Sequence, residues 1–252
     1  MGVKVFVLGL PGSGKSTAVR YIDMIARNYG WATNLVNDYD ILYKWFLAAP
    51  DGPQFSRIAF DGFNVLDIAV FDAALQELER QVLQEQTSSK QEMTIIEFAR
   101  DDYLEAFKLF SASFLRDAYF LFVDAEIFIC KERIRSRAIR QQSSDDHFVS
   151  DDIFNRYYYR GRDYYNISDL SGQQDSRGER YTIDPQRTIV VGNLSTTRQE
   201  VFGETVLSLA PTFIGQQSAE PQENDMTQCT ASENHETPPD VNVHAGDVVG
   251  VS

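Results

Sequence analysis

The sequence predicts an α/β fold built on a parallel sheet of five strands, and two observations carry that expectation. Short apolar runs alternate with stretches whose apolar residues recur at helical spacing, the pattern of successive βαβ units. The first apolar run passes directly into a glycine-rich loop, which opens the first helical stretch.

Taken in order, the strands are expected at 3–9 (VKVFVLG), 32–37 (ATNLVN), 93–98 (MTIIEF), 118–125 (AYFLFVDA) and 187–193 (RTIVVGN). The first helix follows the loop at Lys15 and ends near Gly30, where a C-cap glycine belongs. Leu66, Ala69, Val70, Ala73, Ala74, Leu78, Val82 and Leu83 keep a helical period, and residues 102–116, 126–140 and 196–209 read the same way. The aromatic and glycine-containing stretch 41–65 reads as the wall of an acceptor pocket or as packing. The polar stretch 161–186 reads as an excursion before the last strand.

From Gly215 onward there is no Lys, Arg or aromatic residue, and seven of the 37 acidic residues fall there. That composition predicts a disordered acidic tail at 215–252, able to dock a protein partner, after a single domain at 1–214. A chain of 252 residues with 43% hydrophobic content is ordinary for one large globular domain, and no apolar run approaches the ~20 residues that span a bilayer. The start MGVKVFVLGL lacks a small-residue cleavage site and reads as a strand, which makes a soluble cytoplasmic protein the default expectation. Two cysteines, Cys130 and Cys229, exclude a disulfide framework or a four-ligand zinc site. The formal net charge of −14 repels a phosphate backbone, so nucleic acid is disfavoured and a small-molecule partner gains weight.

The loop carries the chemistry. Gly9, Leu10, Pro11, Gly12, Ser13, Gly14, Lys15 and Ser16 fit G-x-x-x-x-G-K-[ST] in full, with Thr17 next, a strand before and a helix after. Glycines let backbone amides curl round an anion, Lys15 reaches β- and γ-phosphates, and the Ser16 hydroxyl can hold Mg²⁺. A dinucleotide fingerprint is excluded because Lys, Ser and Thr follow Gly14 where its third glycine would stand. LSGQQ at 170–174 mimics a transporter-ATPase signature, but the strand after it ends in Gly192 and Asn193 rather than Asp-Glu. A guanine-reading Asn-Lys-x-Asp is absent, which favours ATP.

The loop at the N-terminus, NDYD after strand 2, EFAR after strand 3, the arginine-studded helix after VDA and the VVGN turn together resemble the P-loop kinases related to adenylate kinase, nucleoside kinases and the zeta-toxin and chloramphenicol-type phosphotransferases. The resemblance covers residues 1 to about 210. It implies a P-loop NTPase sheet with helices on both faces, an arginine-bearing lid and transfer of the γ-phosphate of ATP to a small-molecule acceptor, the lid being SSDDHFVSDD at 143–152. It further implies that an arginine of the helix after VDA, Arg133 or Arg137, meets adenine or phosphates, and that Asn193 lies beside the nucleotide.

Two acids and an arginine complete the candidate set. Asp38 and Asp40 stand at the carboxyl edge of a parallel sheet, where a carboxylate can take the proton of an attacking hydroxyl; Asp38 is the first choice, with an Asx turn or helix cap as the alternative. Glu97 ends an apolar strand, and a carboxylate there calls for a cation, Mg²⁺ or its water shell, or else an ion pair with Arg100. Similar kinases carry Glu-Arg here, whereas Phe98 and Ala99 intervene in this chain. Arg133, Arg137 and Arg140 share one helix face and can clamp phosphates or simply be solvated. His147 reads as a surface residue. NRYYYRGRDYY at 155–165 can stack bases or a sugar, or pack a helix. Two other functions therefore stand beside the kinase: a nucleotide-dependent switch ATPase and a 5′-hydroxyl polynucleotide kinase.

Overall fold

The computed structural model describes residues 2–58, 62–85, 91–140, 149, 151–158, 172–193 and 199–214. The tail from Gly215, His147 with most of the lid segment, and Tyr159, Arg160, Arg162, Tyr164 and Tyr165 of the aromatic-basic stretch lie outside the described residues. No described helix is long and apolar enough to cross a membrane.

In chain order the elements are β1 (Val3–Leu8), α1 (Lys15–Asn28), β2 (Ala32–Asn37), α2 (Asp38–Ala48), β3 (Phe55–Arg57), β4 (Phe63–Val65), α3 (Ala69–Glu85), β5 (Glu92–Phe98), α4 (Tyr103–Lys108), α5 (Ala112–Leu115), β6 (Tyr119–Asp124), α6 (Ile127–Arg140), α7 (Asp151–Tyr157), β7 (Gln173–Gln174), β8 (Arg180–Tyr181), β9 (Thr188–Gly192) and α8 (Gln199–Ile214). The main sheet has the order β2-β5-β1-β6-β9 with every pairing parallel, as the alternating pattern predicts. All five strands therefore release their chain at one edge, where the residues after β1, β2, β5, β6 and β9 converge.

The sheet is buried on both faces, which is why β1 is apolar at successive positions rather than at alternate ones. Val5 and Val7 face α1 and α8 through Ala18, Ile22, Phe202 and Val206. Phe6 and Leu8 face the opposite layer of α2 to α5. Phe6 stacks on Phe120 at 5.0 Å and meets Phe98, Phe107, Phe110 and Phe114 edge-on, so Phe6→Ala would cost about 3–5 kcal/mol. A smaller cluster of Leu10, Ala125, Cys130, Ile134, Phe154 and Tyr158 seats α6 and α7 over the loop that follows β1.

Helix α1 ends as its glycine predicts. Gly30 takes φ 76°, its N–H donates to the Arg27 carbonyl at 2.9 Å, and the Trp31 N–H donates to Ala26 at 2.9 Å, a Schellman closure. Elsewhere the structure departs from the sequence pattern. The expected helix 102–116 is two helices, because Ser111 leaves helical geometry, caps α5 by accepting from Phe114 N–H, and gives its own N–H and hydroxyl to the buried Glu79 carboxylate. Leu66 and Leu83, counted into a helical face, are exposed; α3 begins only at Ala69. The stretch 41–65 contains most of α2 and the antiparallel β3–β4 pair, and the excursion 161–186 contains the β7–β8 pair. Asp175 holds that second pair by accepting from Ala112, Arg177 and Glu179 N–H groups.

Candidate active site

The loop from Gly9 to Ser16 joins the central strand to α1, and its glycines are needed for two reasons. Gly12 has φ 78° and packs so closely on α6 that a Cβ would lie 2.5 Å from the Cys130 carbonyl oxygen. Gly14, at φ 108°, occupies the N-cap position of α1 without any side-chain cap, which leaves first-turn N–H groups for an anionic ligand. Lys15 is 7% exposed, donates to the Leu10 carbonyl at 3.0 Å, and lies 4.0 Å from Glu97 Oε1. Burial pushes its pKa down, with Glu97 and then Asp38 opposing that shift.

A polar brace surrounds the loop. Arg133 donates to the carbonyls of Gly12 (3.4 Å) and Ser13 (3.2 Å) and to Asn193 Oδ1 (3.1 Å), while Asn193 Nδ2 donates to the Ser13 carbonyl at 2.7 Å. At the other end the buried Tyr103 hydroxyl accepts from Gly9 N–H at 2.8 Å and donates to the Gly9 carbonyl at 3.2 Å. Thr17, beyond the loop, takes a hydrogen bond from Arg20. Cys130 is buried, its thiol pushed up to about 11 by desolvation, and serves as a wall for the loop.

Glu97, one residue before the end of β5, lies beside the central strand, in register with Val7 of β1 and Asn37 of β2. Its Oε1 accepts the Ser16 hydroxyl at 3.0 Å. A hydroxyl and a carboxylate side by side next to a phosphate cradle are hard oxygen donors, the set that suits Mg²⁺ when substrate phosphates and water complete the shell. Among the described residues no group of three His, Cys, Asp or Glu side chains gathers to hold a metal without such help.

The alternative of a Glu97–Arg100 ion pair is overturned: Arg100 pairs with Asp38. Its Nη1 donates to Asp38 Oδ2 at 2.5 Å and to the Ala99 carbonyl at 2.6 Å, Nη2 donates to the Phe71 carbonyl at 2.7 Å, and the guanidinium packs on the rings of Phe71 and Phe98. Arg100 is 2% exposed and Asp38 8%. The capping alternative for the acids also falls elsewhere. Asn37, the last residue of β2, caps α2 by accepting from Asp40 N–H at 2.7 Å and donates to Asp40 Oδ2 at 3.0 Å. Asp40 is thereby tied to the cap, while among the described residues no hydrogen bond engages Oδ1 of Asp38.

One cleft of about 1140 Å³, including the part open to solvent, brings these groups together. Pro11, Gly12, Gly14, Lys15, Ser16, Glu97 and Arg137 line one end, with Ile134, Val149, Ile153 and Tyr158 of the α6–α7 side. Tyr39, Asp40, Phe63, Asn64 and Phe71 line the cleft from α2, β4 and α3, and Asp38 stands between, near enough to Lys15 to oppose its pKa shift. There Tyr39 stacks on Tyr43 and Phe63, and Phe63 on Phe46 at 4.9 Å. Burial and its neighbours Tyr43 and Asp40 push the Tyr39 phenol up to about 12, so it stays protonated. Of the four arginines on α6, Arg133 meets the loop carbonyls, Arg135 pairs with Asp151 and Arg137 meets the cleft; the Arg140 side chain lies outside the described residues. Sequence reasoning missed Asn37, Tyr103 and Phe71. Only Asn37 had a signal, since an Asn before an acidic helical turn is a capping pattern.

The five-stranded parallel sheet, with a G-x-x-x-x-G-K-S loop leaving its central strand, defines the class: a P-loop α/β protein. No protein-family model matches the chain, and no curated protein matches it. Among solved structures the chain is similar to Kti12 of Chaetomium thermophilum in complex with ADP-AlF3 (13% identity, 84% of this chain and 99% of that one, TM-score 0.47). It is also similar to the APS kinase of Mycobacterium tuberculosis in complex with AMPPNP and APS (14% identity, 82% and 95%, TM-score 0.46). A third is the shikimate kinase of Acinetobacter baumannii in complex with shikimate (13% identity, 83% and 92%, TM-score 0.40).

Proposed function

We propose that the chain is an ATP-dependent phosphotransferase that moves the γ-phosphoryl group to a hydroxyl or phosphate of a small molecule. The observation that carries this reading is the convergence of Lys15, the Ser16–Glu97 pair and Asp38 on one cleft. Backbone N–H groups from Gly12 to Thr17 hold the phosphates, and the Lys15 and Arg137 cations meet the charge that develops as the β,γ-bridging oxygen departs. Asp38 takes the proton of an acceptor hydroxyl as that oxygen bonds to the γ-phosphorus. Arg100 acts through Asp38 and is a positioning residue; Arg133 and Asn193 keep the loop in shape beside the nucleotide. The Ser16 hydroxyl and the Glu97 carboxylate would hold Mg²⁺, which would supply neutralisation of the phosphate charge.

Incubation with γ-labelled ATP and a panel of metabolites tests the reading, with label expected in an acceptor product. Label released only to water across the panel overturns it, and tight nucleotide binding with very slow turnover would then mark a switch. Label on a 5′-hydroxyl oligonucleotide with steep salt dependence would instead mark a polynucleotide kinase. Glu97→Gln should raise the Mg²⁺ concentration needed for half-maximal rate, because it removes the carboxylate charge beside Ser16.

A further inference from the structure

We infer that the acceptor is an uncharged, ring-bearing hydroxyl compound and not an anionic one. This rests on the phosphotransferase reading and concerns the end of the cleft away from the P-loop.

Charge comes first. The described lining of the cleft holds three carboxylates, Asp38, Asp40 and Glu97, and two cations, Lys15 and Arg137. The Arg100 guanidinium behind Asp38 is 2% exposed and already committed to Asp38 and to the carbonyls of Ala99 and Phe71. An incoming phosphate, sulfate or carboxylate would therefore meet like charges at a partly dehydrated site, with no free counter-charge among the described residues. Lys15 and Arg137 do line the cleft, but at the P-loop end, where the phosphates of ATP engage them.

Helix geometry removes the other common anion receptor. The N-terminus of α2 opens on this end of the cleft, and such an end would normally attract an anion. Here Asn37 already takes the Asp40 N–H, and Asp38 and Asp40 fill the first turn with negative charge. The dipole is answered from within the chain.

Shape comes second. Tyr39 and Phe63 lie nearly parallel, 23° apart with centroids at 5.7 Å, on a second tier formed by Tyr43 and Phe46. Both Tyr39 and Phe63 line the cleft. A stack of rings at the cleft wall offers apolar aromatic surface, complementary to a base or to the C–H face of a sugar or cyclitol. Carboxylates and the Asn64 amide beside it suit hydroxyl groups. The shared chemistry is a flat ring with hydroxyls and no negative charge.

The test uses the full chain saturated with Mg²⁺ and non-hydrolysable AMPPNP, so that the P-loop cations are occupied. Nucleosides (adenosine, guanosine, cytidine, thymidine) form one arm and uncharged rings (glucose, N-acetylglucosamine, myo-inositol) the other, each titrated calorimetrically beside its own monophosphate. At least one uncharged member should bind, and its monophosphate should bind roughly 10²-fold more weakly. The arm that responds says whether the ring is a base or a sugar. Equal or tighter binding of the monophosphates, or binding by no uncharged member, overturns the inference. Asp40→Lys, judged by the ratio of the two affinities within one preparation, should shrink the discrimination about tenfold or more; an unchanged ratio refutes its electrostatic origin. If an uncharged member binds but takes no label from γ-labelled ATP, the phosphotransferase reading fails and the ligand class stands. If label goes to monophosphates alone, the ligand class fails and the phosphotransferase stands.

Discussion

At the P-loop end of the cleft the chain packs backbone against backbone, whereas at the far end it packs ring against ring. Gly12 lies on the Cys130 carbonyl, the carbonyls of Gly12 and Ser13 are taken by Arg133 and Asn193, and both polar groups of Gly9 are taken by Tyr103. Around Tyr39 and Phe63 there is instead a stack of aromatic side chains, supported by a two-stranded pair that is not part of the main sheet. Hydrogen-bond networks with buried members fail steeply when one partner goes, while stacked area is lost by degrees. On the proposed reading, the end that grips a triphosphate, always the same shape, is built the first way, and the end that chooses an acceptor is built the second way.

That contrast can be broken or sharpened by substitution. The largest expected effect is at the hinge between the two ends: Asp38→Asn should slow transfer by roughly 10² to 10⁴ with ATP affinity nearly unchanged. It also leaves the Arg100 guanidinium without its carboxylate, at a stability cost of about 3–5 kcal/mol, so rates must be taken per nucleotide-binding molecule. Equal losses in ATP affinity and rate would show that the two ends are not separable. If Asp40→Asn lowers the rate and Asp38→Asn does not, the base is the capped carboxylate after all.

Next in size is Lys15→Ala, expected to lower kcat/KM for ATP by roughly 10² to 10³. Its pH signature is specific. Because burial lowers the Lys15 pKa, the ammonium loses its proton at a pH below the ordinary 10.5, so ATP affinity should decline as pH rises toward that value. A titration of ATP binding against pH that is flat there, or a decline that persists in Lys15→Arg, contradicts the assignment.

Tyr103→Phe should cost about 1–3 kcal/mol in urea unfolding, since Gly9 N–H is left buried without its acceptor. KM for ATP should rise while KM for the acceptor stays put. The smallest effect is expected from Phe63→Ala, which removes a stacked ring worth about 0.5–1.5 kcal/mol of pair energy. It should reverse the Tyr103 pattern, raising KM for the acceptor with KM for ATP unchanged. A shared response of both KM values to either substitution would erase the distinction between the ends.

The order of strands and the loop are legible in the sequence because both are local: apolar runs of strand length, and eight consecutive letters for the phosphate cradle. Lys15, Ser16 and Glu97 follow from that locality. The Asp38–Arg100 pair does not, because its members are 62 positions apart and meet only when β2 and β5 pair. Three residues of separation made Glu97 and Arg100 look like partners, yet the chain turns away from the sheet after Phe98 and carries the guanidinium to the other side. Tyr103 is unreadable for the same reason: its hydroxyl serves Gly9, 94 positions earlier. The arginines of α6 show a different limit, as one helix face meets both the loop carbonyls and the cleft. Residues 41–65 stayed ambiguous because rings that line a pocket and rings that fill a core are the same residues in a sequence.

Strand β2 passes into α2 with no connecting residue, Asn37 ending one and capping the other. The proposed base is thus mounted on a joint without slack, registered against β5 to within a peptide, while the neighbouring β3–β4 pair, outside the main sheet, anchors itself to the same core through Phe55 and Val65. If the chain is the proposed phosphotransferase, a change of diet is open to the outward positions of this pair, with Phe55 and Val65 kept to hold the joint in place.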